Sequence, residues 1–170
     1  MHRNIRHLTH AALMAALYVA LTYFQNLLLP GSATWAIQFR VSEALCVLAL
    51  FTPAAIGGLS VGCLLFNLSY SAALPLDFLV GTLATALACS SMYLTRKITL
   101  RSMPLLSLLM PALWNGLLVG WELSLHIGGG FWLNAMYVAI GEAAVLLILG
   151  GALYRVMVSR GLAARLFENR

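Results

Sequence analysis

Residues 11–29 read AALMAALYVALTYFQNLLL, with no Asp, Glu, Lys or Arg among them. A run of this length matches the roughly 20 apolar residues an α-helix needs to cross a bilayer, and a helix satisfies its backbone polar groups within itself. Arg3 and Arg6 precede the run, and Pro30-Gly31-Ser32 ends it. The arrangement is similar to a secretory leader, with Ser32-Ala33-Thr34-Trp35-Ala36 in the place of a cleavage site. The apolar core is longer than a cleavable one, so it is expected to be retained as a first spanning helix.

Outward from this run the pattern recurs. The chain of 170 residues is 62% hydrophobic and 9% charged, against about 25% charged in an average soluble chain. A soluble domain of this size could not bury so much apolar surface, so lipid is expected to cover the remainder. The expected fold is an all-α membrane protein, a single domain over residues 1–170. Its six transmembrane helices are expected at about 7–29, 39–51, 53–70, 75–97, 103–125 and 131–158. Thr52 reads as an N-cap and Pro53 as a first helical residue, which breaks the second segment from the third. These two segments could also form one re-entrant hairpin. Pro75 opens the fourth segment, Gly128-Gly129-Gly130 is a joint before the sixth, and Trp35 in the first linker suits the membrane interface. No stretch between apolar segments is long enough for a nucleotide-hydrolysing domain, so any motor is expected on another chain.

Ten Lys and Arg face five Asp and Glu, a formal net charge of +5. In a six-helix arrangement Arg3, Arg6, Arg96, Lys97, Arg101, Arg155, Arg160, Arg165 and Arg170 fall on one side and Arg40 alone on the other. The positive-inside rule then places both termini in the cytoplasm of a multi-pass cell-membrane protein, and an odd helix count would split the charges. The basic balance therefore reads as orientation, and no nucleic-acid partner is expected. Cys46, Cys63 and Cys89 lie inside apolar runs without a C-x-x-C spacing and read as reduced, buried thiols. No cofactor or metal is expected.

Small residues recur at four-residue spacing, which lets helices approach closely in lipid. Gly58 with Gly62, and Gly116 with Gly120, suit packing inside the molecule. Ala12, Ala16 and Ala20 suit a face that docks a partner. Ionisable side chains in spanning helices cost about 2.5–3.5 kcal/mol each on insertion scales, so they mark functional positions. Those in the half opposite the basic residues are Arg40, Glu43, Asp77, Glu122 and Glu142, joined by Asn67, Asn115, Asn134 and His126. Arg40 and Glu43 share a helical face and could pair with each other; Asn115 and Glu122, and Asn134 and Glu142, also share faces. Four carboxyl groups against one guanidinium leave up to three acids without a basic partner. Either they hold protons, or they await a ligand that is cationic or rich in hydrogen-bond donors, with Trp121 and Tyr137 available to stack on it. There is no G-x-S-x-G, H-E-x-x-H or P-loop motif, and no catalytic residue is assigned.

Several segments are distinctive beyond their hydrophobicity: QFRVSEAL at 38–45, LFTPAAIGGL at 50–59, GCLLFNL at 62–68, DFLVGTLAT at 77–85, Asn115, and LNAMYVAIGE at 133–142. They resemble the QueT family of substrate-binding (S) components of energy-coupling factor (ECF) transporters. The resemblance covers nearly the whole chain. It implies a six-helix subunit that captures a queuosine precursor, a 7-deazaguanine such as preQ1 or queuine. It also implies a transmembrane coupling subunit, docked on the alanine stripe of the first helix, and two ATPase subunits. The expected substrate-binding set is Arg40, Glu43, Asn67, Asp77, Asn115, Trp121, Glu122, Asn134, Tyr137 and Glu142. A deazaguanine edge offers N–H donors to a carboxylate, and an aminomethyl ammonium needs another. The rival readings are an S component for a different vitamin or for a metal ion, to which Met1-His2 could contribute, a membrane-embedded enzyme using the acids as proton carriers, and an assembly partner without a ligand.

Overall fold

With no charge between residues 11 and 29, the backbone has one open-ended way to satisfy itself in lipid, and α1 (His2–Leu28) takes it. The structure is a computed structural model that describes residues 2–30, 32, 39–70 and 73–167. Expectations on Met1, Trp35, Gln38 and Arg170, and on the His2 and Arg3 side chains, lie outside the described residues. A 3-10 helix follows at Val41–Leu50, then α2 (Ala54–Ser69), α3 (Asp77–Thr95), the short α4 (Leu105–Leu108) and α5 (Met110–His126). The last long rod runs through α6 (Phe131–Val145), a π-helical turn (Leu146–Gly150) and α7 (Gly151–Ser159), before a short α8 (Leu162–Phe167). The described residues form no strands apart from an isolated bridge between Leu100 and Met103.

Four helical stretches are long and apolar enough to cross a membrane: Asn4–Leu28, Asp77–Thr95, Leu105–His126 and Phe131–Ser159. Val41–Leu50 and Ala54–Ser69 are apolar but shorter. The flanks of the bundle are studded with exposed leucines, among them Leu17, Leu27, Leu65, Leu79, Leu94 and Leu125. So wide an apolar surface belongs against lipid, and the molecule is a membrane protein.

Neighbouring helices pack in sequence order: α1 on α2, α2 on α3, α3 on α5 and α5 on α6. The 3-10 helix touches α1, α2, α3, α6, the π turn and α7, so it runs up the middle of the bundle. Its neighbours form the main core, with Met14, Tyr18, Val47, Leu59, Met92 and Leu108 buried. Ten residues is long for a 3-10 helix, whose three-residue repeat stacks side chains at i and i+3. That repeat sets Cys46 above Glu43, and the Cys46 thiol donates to Glu43 Oε2 at 3.1 Å. At the Thr52–Pro53 break, Thr52 Oγ1 accepts from the Ala54 N–H at 3.3 Å, and α2 begins at Ala54 with Pro53 in the cap position, one residue later than the sequence motif predicts.

Glycine makes two of the helix pairs possible. A Cβ on Gly58 would lie 2.5 Å from Ala11 O on α1, and one on Gly120 would lie 2.6 Å from Ala135 Cα on α6. In both cases backbone meets backbone, so no side chain can swing aside. Gly58→Val is expected to destabilise the protein by about 3 kcal/mol, the upper range for overpacking, read as a lowered thermal midpoint in detergent. Gly57→Ala next to it, where a Cβ meets nothing within 4 Å, is expected to leave the midpoint unchanged.

Candidate functional site

The chain ends that lead out of α1, α2 and α5, and into the 3-10 helix, α3 and α6, meet at one end of the bundle. Asp77 opens α3 there, and Glu122 sits one turn from the end of α5. Glu142 lies eleven residues into α6, about 16 Å along the helix axis. Polar side chains therefore extend from this end into the interior. Arg40, Glu43, Asn67, Asp77, Asn115, Glu122, Asn134 and Glu142 are all buried.

Arg40 is the hub. It precedes the 3-10 helix in an extended conformation, φ −89° and ψ 94°, so it leaves the row on which Glu43 lies. Instead it reaches across to α3 and forms an ion pair with Asp77, Nη2 to Oδ1 at 3.6 Å. Pairing of Arg40 with Glu43, one option left open by the sequence, is not what the structure shows. The Arg40 charge also acts on Glu122 and Glu142. Breaking a buried ion pair by removing one partner costs about 3–5 kcal/mol, so Asp77 holds the hub in place. Asp77 Oδ2 further accepts from the Leu74 N–H at 3.2 Å, which closes the turn into α3.

Glu43 is held by a separate set of donors. Tyr18 Oη donates to Glu43 Oε1 at 2.6 Å, and Thr85 Oγ1 donates to the same atom at 3.2 Å. Nearby, Thr22 Oγ1 donates to Ser42 Oγ at 2.8 Å. Gln25 Oε1 accepts from the Val41 N–H at 2.7 Å, and Gln25 Nε2 donates to Phe39 O and Ser32 Oγ. Tyr18, Thr22, Thr85 and Gln25 were not among the residues singled out in the sequence. Tyr18, Thr22 and Gln25 stand at i, i+4 and i+7 in an otherwise apolar helix, a signal that could have found them. Tyr18→Phe is expected to cost about 1–3 kcal/mol, because a buried carboxyl loses its shortest donor. A thermal midpoint equal to the parent's would show that the bond carries nothing.

Two of the asparagines have structural work. Asn67 Nδ2 donates to Asp77 O at 2.8 Å, and Asn134 Nδ2 donates to Gly128 O at 2.7 Å. The latter steadies the joint at Gly128, Gly129 and Gly130, where all three φ angles are near +80°. Trp121 and Tyr137 do not join the cluster: they are 46% and 38% exposed on the outer faces of α5 and α6. Neither stacks over the acids, because the buried stripe of α5 runs through Asn115, Val119 and Glu122, and that of α6 through Asn134, Val138 and Glu142.

Asn115, Glu122 and Glu142 are different. All three are fully buried, and among the described residues none of their side-chain oxygen or nitrogen atoms makes a well-formed hydrogen bond, although Glu122 lies within reach of Asp77 and the Leu76 backbone. Buried polar groups are nearly always paired, and each orphan costs about 1–3 kcal/mol, more if charged. Three on two adjoining helices, beside the Arg40–Asp77 pair, amount to an expense that folding alone does not repay. The carboxyls can accept from N–H groups or an ammonium, and the Asn115 amide can both donate and accept. Among the described residues no group of three or more His, Cys, Asp or Glu is placed to hold a metal ion.

A family model described as QueT transporter matches residues 8–159. Nothing among the curated proteins or the solved structures matches the chain.

Proposed function

The chain belongs to the QueT transporter family, and we propose that it is the substrate-capture subunit of an ECF-type importer for a queuosine precursor, a 7-deazaguanine bearing an aminomethyl group or queuine itself. The observation that carries this reading is the set of buried side chains of Asn115, Glu122 and Glu142, which lack a well-formed hydrogen bond among the described residues, with the Arg40 charge acting on both acids. Four acids against one arginine suit a guest with several N–H donors or a positive charge. The deazaguanine edge supplies the donors for one carboxyl and the Asn115 amide, and an aminomethyl ammonium suits another carboxyl. Arg40 can donate to the ring carbonyl. Glu43, already held by Tyr18 and Thr85, orients the wall of the site.

The same reading places six segments in the membrane, with both termini in the cytoplasm. The nine basic residues then stand on the inner side, and the polar cluster opens outward. Ala12, Ala16 and Ala20 are exposed on α1, while Ala15, Tyr18 and Thr22 turn inward. The alanine stripe therefore offers a smooth face to a transmembrane coupling subunit, to which two ATPases supply the work. The test is uptake of labelled aminomethyl deazaguanine by cells that carry the chain with and without its ATPases. Uptake that needs both supports the proposal. Uptake that persists without ATPases, or a cell that takes up none, contradicts it.

A further inference from the structure

The opposite end of the bundle carries a second polar feature that substrate capture does not use. Between α3 and α4 the chain reverses in a two-residue turn, Arg101-Ser102, closed by paired backbone hydrogen bonds between Leu100 and Met103 of 2.8 and 3.0 Å. Both turn residues have positive φ, 49° and 63°. That is the backbone such tight hairpins require, but Asn and Gly are the usual occupants. Arg and Ser are held there, side by side, at the rim of a cleft of about 370 Å³. Arg155 and Ser159 of α7, one helical turn apart, also line it, together with Tyr154, whose ring is stacked on Phe51 at 5.8 Å. The cleft is thus lined by two arginines and two serines, with no acid among its described lining residues. Neither arginine makes an ion pair with a described residue. Arg96 is not part of it, since it lies over the Tyr93 ring at 3.7 Å and donates to Tyr93 O.

We propose that Arg101, Ser102, Arg155 and Ser159 form a binding site for the phosphate of an anionic phospholipid. Two guanidinium groups with hydroxyl donors beside them are the chemistry that recognises a phosphate. The surroundings select the lipid over a free phosphate compound. Val158, which lines the cleft, and Leu100, which precedes Arg101, stand exposed, as do Leu94 and Ile98 at the end of α3 that leads into this turn, where acyl chains begin. A headgroup in the cleft would lay its chains along these residues. The inference does not depend on the identity of the transported substrate.

The test is native mass spectrometry of the full chain released from nanodiscs made with phosphatidylglycerol or with phosphatidylcholine. The parent protein is expected to retain phosphatidylglycerol and not phosphatidylcholine. Arg101→Gln with Arg155→Gln is expected to lower retention on the order of 30-fold, from the attraction of two arginines to an anionic headgroup. Arg160→Gln with Arg165→Gln removes the same charge outside the cleft and is expected to change retention less than threefold. Ser102→Ala with Ser159→Ala keeps the charge and is expected to lower retention about tenfold. Equal loss in the two arginine pairs would reduce the effect to diffuse charge and overturn the site. Equal retention of the two lipids would also overturn it. So would displacement by millimolar inorganic phosphate, which would assign the cleft to a soluble anion.

Discussion

Glu142→Gln is expected to weaken binding of an aminomethyl deazaguanine by about 100-fold or more, while leaving the unliganded protein at least as stable as the parent. The two halves of this expectation come from one fact. Glu142 is fully buried and neither of its oxygens has a hydrogen-bond partner among the described residues, so the fold gains no hydrogen bond from its carboxyl. Glutamine keeps the shape and removes the acid, which relieves the cost of burial in the absence of ligand. In the complex the balance reverses. A ligand donor or ammonium brought out of water against an amide in place of a carboxylate loses a charge-assisted bond, and losses of this kind run to about 2–5 kcal/mol. Glu122→Gln is expected to act in the same direction, and Asn115→Ala more weakly, about tenfold, because a neutral amide makes weaker bonds. Calorimetric titration of each variant, with thermal unfolding alongside, checks all three. Unchanged affinity across the series would remove the acids from the site.

Ala16→Trp is expected to abolish uptake while leaving ligand affinity within about twofold of the parent. In lipid, helices gain little from hydrophobicity, and close approach between small side chains supplies the attraction. Ala12, Ala16 and Ala20 are exposed on one side of α1. The other side is committed to the bundle, where Ala11 meets Gly58, and Ala15 and Tyr18 meet Gly62. A tryptophan at position 16 thus projects away from both the core and the site. Against lipid alone it would be tolerated and uptake would continue. Against a coupling subunit seated on the stripe it would hold the two apart. Normal uptake by the Ala16→Trp protein would dissociate the stripe from transport.

Much of this architecture is legible in the chain because each break has a local cause. Pro53 with Thr52, the three glycines at 128–130, and Pro30 after the first run mark ends through backbone chemistry that tertiary contacts do not override. The buried acids are legible for a related reason: an ionisable residue within an apolar run is too costly to be casual. What the sequence hides is orientation within helices that are apolar all round. In a soluble helix, polar residues mark the outside. In α5 and α6 the outside is lipid, so Trp121 and Tyr137 give no sign that they face away from Glu122 and Glu142. The inner face is marked instead by Asn115, Gly116, Gly120 and Glu122, small or polar residues at helical spacing.

The central 3-10 helix is hidden for a different reason. Nearly every residue from Val41 to Leu50 is apolar, so a repeat of 3.0 cannot be told from one of 3.6. Yet that repeat sets Cys46 over Glu43 and turns Arg40 out of the row. The Arg40–Asp77 pair then follows from contacts between elements 37 residues apart in the chain, which local spacing could not anticipate. The π turn after Glu142 is equally unmarked. It packs on the 3-10 helix, where a Cβ on Gly150 would lie 3.1 Å from Val47 Cγ2. Two irregular helices thus meet immediately below the acids.

The most direct measurement is a structure of the purified protein with aminomethyl deazaguanine bound. The ligand is predicted to lie inside the bundle, against the buried stripes of α5 and α6, with its nitrogen atoms about 2.7–3.2 Å from the Glu142 and Glu122 carboxyls and the Asn115 amide. Ligand density elsewhere, with those three side chains still unpartnered, would contradict the account.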